Sequence, residues 1–232
     1  MSLIKYLANL GYGTRREVTA LVAARQVTAA DGRVLRDGDP WQHDAVRVAG
    51  APLDPAPGSV ILLHKPVGYV CSTKDAPPLV YDLLPARFLR RAPVMATVGR
   101  LDRDTSGLLL LTDDGALNHR LTSPRAHLPK TYRATLAADL DGSEATRFAS
   151  GTFLLSGDDT PLAPASLTTI DARTAALTIT EGRYHQVRRM FAAVGNHVTA
   201  LQRVAMADLT LGDLAPGAWR LLTDVERALL TP

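Results

Sequence analysis

A chain of 232 residues has room for one sizeable core and a small accessory unit, since domains commonly hold about 100–150 residues. Its 46% hydrophobic and 21% charged residues exclude a disordered chain, and its apolar runs are too short to span a bilayer or form a signal-peptide core, so a cytoplasmic location is expected. The formal charge of +3 favours an anionic partner only mildly, and the single cysteine, Cys71, excludes an internal disulfide.

In chain order, Ile4, Leu7 and Ala8 give a short helical face that Gly11-Tyr12-Gly13 breaks. Thr14 and Glu17 have capping-box spacing, so a second helix starts there with Val18, Leu21 and Val22 as its buried stripe. Val27-Thr28 and Val34-Leu35 flank Asp31-Gly32, which predicts a hairpin. The division expected from this pattern is a small unit over residues 1–49, a proline-rich linker over 50–58 and a larger domain over 59–232. In the larger part, Val60–Leu63 and Leu108–Leu111 read as buried strands, and Tyr132–Leu136 alternates like a strand with one solvated face. Val187, Met190, Phe191 and Val194 lie on one helical stripe that Gly195 ends. The class is α+β, a mixed sheet with helices packed on it.

The sequence lacks a phosphate-binding Gly-Lys-Ser/Thr loop, and Gly11-Tyr12-Gly13 lacks the third glycine and preceding strand of a dinucleotide site. The six histidines show no metal-ligand spacing. No cofactor is therefore implied, whether nucleotide or metal.

The run Gly99-Arg100-Leu101-Asp102-Arg103-Asp104-Thr105-Ser106-Gly107 sets carboxylates, guanidiniums and hydroxyls directly before a four-leucine strand. By residue type alone it fits either a polar loop capping backbone donors or a rigid mount for a carboxylate in a cleft. Downstream, Glu181-Gly182-Arg183-Tyr184-His185-Gln186-Val187-Arg188-Arg189-Met190 passes from a glycine turn into a helix. Arginines in opening helical turns gain nothing from the dipole, so Arg188 and Arg189, like Arg15 and Arg16 after Thr14, suggest a bound anion such as phosphate, although plain solvation also accounts for them.

Taken together, Gly99–Asp102 with Thr105–Leu108, Lys130-Thr131-Tyr132, and Glu181–Met190 resemble RsuA-type pseudouridine synthases, bacterial enzymes of ribosomal RNA, in matching order over residues 60–225. Residues 1–50, through Thr14-Arg15-Arg16-Glu17 and Val27-Thr28, resemble the S4 RNA-binding domain that precedes the catalytic domain in that family. The resemblance implies a small S4-like α/β domain followed by a catalytic domain with a mixed, mainly antiparallel sheet flanked by helices. It implies Asp102 as the catalytic carboxylate, Arg183 as the cation paired with it, and Tyr132 stacked on the uracil. Arg100 would hold the opened RNA, and Lys130, His185, Gln186, Arg188, Arg189, Leu201 and Arg203, with Arg15 and Arg16, would complete the RNA-contacting set. The implied partner is ribosomal RNA or an assembling ribonucleoprotein particle, with no membrane.

Tyr184-His185-Gln186 and Gly68-Tyr69-Val70-Cys71-Ser72-Thr73 resemble the branch acting on small-subunit RNA, the expected substrate. The alternatives are large-subunit RNA and a non-catalytic S4-type RNA-binding or ribosome-assembly protein, which intact Asp102, Tyr132 and Arg183 disfavour. Ile4, Ala29-Ala30-Asp31-Gly32 and Ala207 depart from the family's habits in the details of RNA docking.

Overall fold

The computed structural model describes residues 1–76 and 78–230. Helix α1 (Leu3–Asn9) is capped by Ser2, whose hydroxyl accepts from the Lys5 amide. Helix α2 (Arg15–Ala23) starts at Thr14 with the expected capping box, the Thr14 hydroxyl accepting from the Glu17 amide and the Glu17 carboxylate from the Thr14 amide. Leu3, Leu7 and Val18 pack against Val27, Leu35, Val46 and Val48 in a core of their own, with Leu21 and Val22 only partly buried beside it. Strands β1 (Val27–Ala29), β2 (Val46–Val48) and β3 (Ala51–Pro52) form a three-stranded antiparallel sheet over this core.

The hairpin expected about Asp31-Gly32 forms in short form: the Ala29 amide donates to the Arg33 carbonyl at 2.8 Å and the Leu35 amide to the Val27 carbonyl at 3.0 Å, on either side of the antiparallel Thr28–Val34 bridge, while the longer partner of β1 is β2. The stretch 50–58 is pinned along its length rather than acting as a free tether. It opens as β3, Arg87 grips Asp54 with two bonds of 2.7 and 2.9 Å, and buried Arg91 donates to the Pro55 carbonyl at 2.8 Å. Arg91 also pairs with Asp113 at 2.6 Å, and the Gly58 amide donates to the same carboxylate at 2.7 Å. Gly11, at φ 89°, lies so close to the Arg87 carbonyl that any Cβ there would overlap it.

The remaining strands are β4 (Val60–Lys65), β5 (Ala96–Thr97), β6 (Thr105–Thr112), β7 (Lys130–Leu136), β8 (Ser166–Asp171), β9 (Thr174–Ile179), β10 (Val198–Met206), β11 (Leu209–Thr210) and β12 (Trp219–Leu221). They form a nine-stranded mixed sheet in the order β12-β4-β6-β10-β7-β9-β8, with β5 on β6 and β11 on β10. All pairings are antiparallel except β6 with β10. Helices α3 (Gly115–Thr122), α4 (Glu144–Ala149), α5 (Gln186–Ala193) and α6 (Asp224–Ala228) complete the chain. None of the described helices is long and apolar enough to cross a membrane.

Strand alternation divides the core between the two faces of the sheet. Leu109 and Leu111 of β6 join Ile61, Leu63, Tyr132, Ala134 and the α5 residues Val187, Met190 and Phe191. Leu108 and Leu110 join Val60, Leu62, Leu121 and Met206 on the other face. Each of these fully buried leucines contributes about 1.5–3 kcal/mol, so β6 is a rigid base for the loop that precedes it. Its parallel contact with β10 depends on Gly107, where a Cβ would overlap the Arg203 carbonyl.

Candidate active site

The loop 99–104 runs over the start of β6 and is held there by backbone bonds. The Thr105 amide donates to the Asp102 carbonyl at 3.1 Å, and the Gly68 amide to the Arg103 carbonyl at 2.7 Å. Lys65, the last residue of β4, is fully buried beneath the loop. Its ammonium donates to the carbonyls of Thr105, Asp102 and Pro66 at 2.7, 3.0 and 3.1 Å. Burial pushes the Lys65 pKa below the ordinary lysine value, while the charges of Cys71, Asp102 and Asp104 oppose that shift. A charge sealed inside is tolerated only when its hydrogen bonds are satisfied, and here the carbonyls of Asp102 in the loop, Thr105 at the start of β6 and the adjacent Pro66 satisfy it. Lys65 was not among the residues expected at the site, although a lysine closing the run Val60–Leu63 after His64 is a visible signal.

Cys71 adds a support from the side: its sulfur accepts from the Leu101 amide at 3.5 Å, and burial raises its thiol pKa, which fits a packing role.

A cavity of ≈ 350 Å³ opens over this loop. Of the residues singled out by sequence, Arg100, Asp102, Tyr132, Arg183, His185, Gln186, Arg188 and Leu201 line it. Tyr132 and Leu201 come from β7 and β10, Arg100 and Asp102 from the loop, and the rest from the turn into α5 and its first residues. Thr105 also lines it; it is 1% exposed, and its hydroxyl has no hydrogen-bond partner among the described residues.

The expected pairing of Arg183 with Asp102 is not what the structure contains. Arg183 bonds Asp158 at 2.8 Å, Glu181 at 3.2 Å and the carbonyls of Thr160 and Pro161 at 2.7 and 2.6 Å. Those bonds to Asp158 hold the arginine's pKa above its ordinary value and, with Arg189, hold the Asp158 carboxyl below its own. The basic group facing Asp102 is His185, whose Nε2 lies 3.5 Å from Oδ1. His185 takes the left-handed conformation, φ 49° and ψ 32°, and its ring stacks on Tyr184 at 3.9 Å. That backbone state costs a non-glycine residue about 1–2 kcal/mol, so the surrounding turn must enforce it. A three-residue spacing from Gly182 gave no hint of the geometry; the left-handed turn creates it.

Other residues expected to contact RNA are used internally. Gln186 is buried, its amide bridging Glu181 at 2.9 Å and accepting from the Arg183 amide at 2.9 Å, which closes the turn. Arg188 staples α5 to the Val198 carbonyl at 3.0 Å and to Asp104 at 2.9 Å. Arg189 binds Asp158 and the Ser156 carbonyl. Lys130 donates to the Leu128 carbonyl at 3.0 Å. Arg203 is 2% exposed and bonds the Leu108 carbonyl at 2.8 Å, beyond the reach of an RNA strand at the surface. Arg15 and Arg16 stay exposed at the start of α2, away from this cavity.

The chemistry this arrangement offers is one carboxylate on a braced loop, an aromatic wall and flanking cations. The RNA pseudouridylate synthase family model matches residues 59–193, which contain the loop, Tyr132 and the turn into α5. The ribosomal small subunit pseudouridine synthase A of Yersinia pestis is 44% identical over 237 residues, covering 98% of this chain and 97% of that protein. An uncharacterized RNA pseudouridine synthase, YtzG of Bacillus subtilis (strain 168), is 42% identical over 238 residues, covering 99% and 98%. A crystal structure described as a pseudouridylate synthase superposes over the full length of both chains with a TM-score of 0.71 at 36% identity. Similarity of this extent, running through the braced loop and the cavity walls, shows that the chain belongs to the RNA pseudouridylate synthase family.

Proposed function

We propose that the enzyme isomerises a uridine of small-subunit ribosomal RNA to pseudouridine, with Asp102 as the catalytic carboxylate. The observation that carries this reading is the placement of Asp102: its backbone is fixed by Lys65 and Thr105 while its carboxylate faces the cavity beside Tyr132. The small-subunit substrate is supported by relatives named for it at 44% identity, in Yersinia pestis and in Escherichia coli (strain K12).

The reaction breaks the N1–C1′ glycosidic bond, turns the uracil over and joins C5 to C1′, so substrate and product are isomers. Asp102 either attacks C1′ or removes a sugar proton, roles that a fixed carboxylate near the ribose serves equally. Tyr132 stacks on the uracil while it turns and assists loss of the C5 proton. The Thr105 hydroxyl, otherwise orphaned, hydrogen-bonds the substrate. Arg183 completes the wall through its anchored guanidinium, and His185, rather than Arg183, faces Asp102 and balances its charge when protonated. A paired base cannot enter the cavity, so the target uridine is flipped out or already unpaired. Arg100 then holds the opened strand.

Residues 1–49 serve as an S4-like docking domain, with Arg15 and Arg16 exposed for phosphate contact, and 50–58 join it to the catalytic domain at 59–232. The enzyme works in the cytoplasm, on ribosomal RNA or an assembling particle.

The test is carbodiimide-blocked primer extension along ribosomal RNA from a deletion strain. One stop should vanish from small-subunit RNA and return when the wild-type gene is restored. An unchanged pattern in both subunits' RNA overturns the proposal, and a stop lost from large-subunit RNA overturns its substrate.

A further inference from the structure

Tyr184 lines the catalytic cavity, yet the reaction described above gives it no role. It is 76% exposed, the one aromatic ring among the large apolar side chains left exposed in the described residues. An exposed aliphatic side chain is ordinary, but an aromatic ring held out beside a cleft forgoes the burial that such rings usually find. The turn that presents it is held from several sides. His185 keeps the left-handed state already described, the Gln186 side chain accepts from the Arg183 amide at 2.9 Å, and Arg189 donates to the Tyr184 carbonyl at 3.4 Å.

The order of the rings limits what Tyr184 can touch. Its ring lies 15° from parallel to that of His185 with centroids 3.9 Å apart, so the imidazole covers one face of the tyrosine. The edge of the same imidazole meets Asp102 Oδ1 at 3.5 Å. His185 therefore stands between the carboxylate and Tyr184. A uracil whose ribose lies against Asp102 falls on the near side of that imidazole, where Tyr132 takes it. With most of the residue exposed, the second face of Tyr184 is open, one ring further out along the path of the strand. Arg100 lines the same cavity, exposed and without an ion pair among the described residues, as a phosphate contact for the opened strand requires.

We infer that the stacked Tyr184–His185 pair is a platform for the base next to the target uridine on the same RNA strand. Taking a uridine out of its stack leaves the neighbouring base with one bare face, and the open face of Tyr184 covers it. Every base has a π-face, so the platform accepts any of the four and sets the position of the strand rather than its sequence. The inference rests on the reading of this protein as a ribosomal RNA pseudouridine synthase, and its first test is a binding measurement independent of turnover.

The probes are labelled single-stranded RNA heptamers of adenosine with one central uridine, followed by fluorescence anisotropy at one fixed salt concentration. One probe is intact, and two lack the base immediately 5′ or 3′ of the uridine. The wild-type protein should bind one of the two abasic probes about tenfold more weakly than the intact one. Tyr184→Leu, apolar but without a ring, should bind the intact probe about tenfold more weakly and lose nothing further on that abasic probe, since both changes remove one contact. Tyr184→Phe should restore the wild-type pattern. Circular dichroism checks that both variants fold, and the comparison of probes on wild-type protein needs no variant. In turnover of small-subunit RNA, Tyr184→Leu should raise KM with kcat little changed. A fall in kcat at constant KM would make Tyr184 a prop for His185 and overturn the platform. Wild-type protein indifferent to both missing bases, or additive losses in Tyr184→Leu, would overturn it as well. Absence of turnover by wild-type protein on small-subunit RNA would overturn the proposed function and leave the binding result standing.

Discussion

Replacing Lys65 by methionine keeps most of the side-chain volume but removes the buried ammonium beneath the 99–104 loop. The three carbonyls of Thr105, Asp102 and Pro66, at 2.7, 3.0 and 3.1 Å, lose their partner together. Bonds from a charged donor are worth about 1.5–3 kcal/mol each, giving a gross loss of about 4.5–9 kcal/mol. Removing a buried ammonium recovers several kcal/mol of desolvation, which offsets much of that loss. Orphaned carbonyls remain, each costing about 1–3 kcal/mol until water reaches them. The expected net destabilisation is about 2–4 kcal/mol, or roughly 4–16 °C in Tm for a chain of this size. Catalysis should suffer more than stability, because a displacement of about 1 Å at a reacting group costs on the order of 10²-fold. Urea unfolding and steady-state kinetics on small-subunit RNA check both parts, with kcat falling and KM little changed. A variant within about 0.5 kcal/mol of wild type would refute the satisfaction argument. A destabilised variant with unchanged kcat would show that Lys65 holds the fold but not Asp102.

Three further outcomes are expected. Asp102→Asn should lower pseudouridine formation by about 10³-fold or more while Tm and RNA affinity stay near wild type; retained turnover removes Asp102 from the mechanism. Changing Arg15 and Arg16 together to alanine should weaken RNA binding and reduce the log–log salt slope by up to about 1.4, since each phosphate contact on a single strand adds about 0.7; an unaltered slope would assign the amino-terminal unit another role. Glu226 is held down to about 2 by its Arg220 partner, from an ordinary 4.5. A depressed carboxyl stabilises the fold above its unfolded pKa and loses that contribution as pH falls through the folded one. Glu226→Gln should therefore cost at neutral pH no more than about 1 kcal/mol, because the pair is solvent-screened, and the gap should close between pH 4.5 and about 2. A gap that widens with acid in urea titrations would reverse the sign of this argument.

Much of the local architecture was legible in residue order. The capping box at Thr14, the buried runs of β4 and β6, the alternation of β7 and the α5 stripe all follow from period and capping chemistry that neighbouring residues settle among themselves. The polar run before β6 was also visible, and the order of motifs around it identified the family. Partner choice was not, because it depends on which distant segments meet. Arg183 found Asp158 and two carbonyls near residue 160, a neighbourhood with no signal in the sequence. His185 reached Asp102 through a left-handed backbone state that its residue type does not favour. Lys65 acquired its role when antiparallel pairing carried the end of β4 under the start of β6, opposite Gly107.

The sequence by itself determined the elements, the family and the carboxylate to examine, because these rest on local periodicity and motif order. Only the tertiary structure decided what braces that carboxylate and which arginines are already engaged. Those outcomes are settled by long-range register and burial, where a side chain's partner can lie far along the chain and its charge is tolerated only if that partner is present.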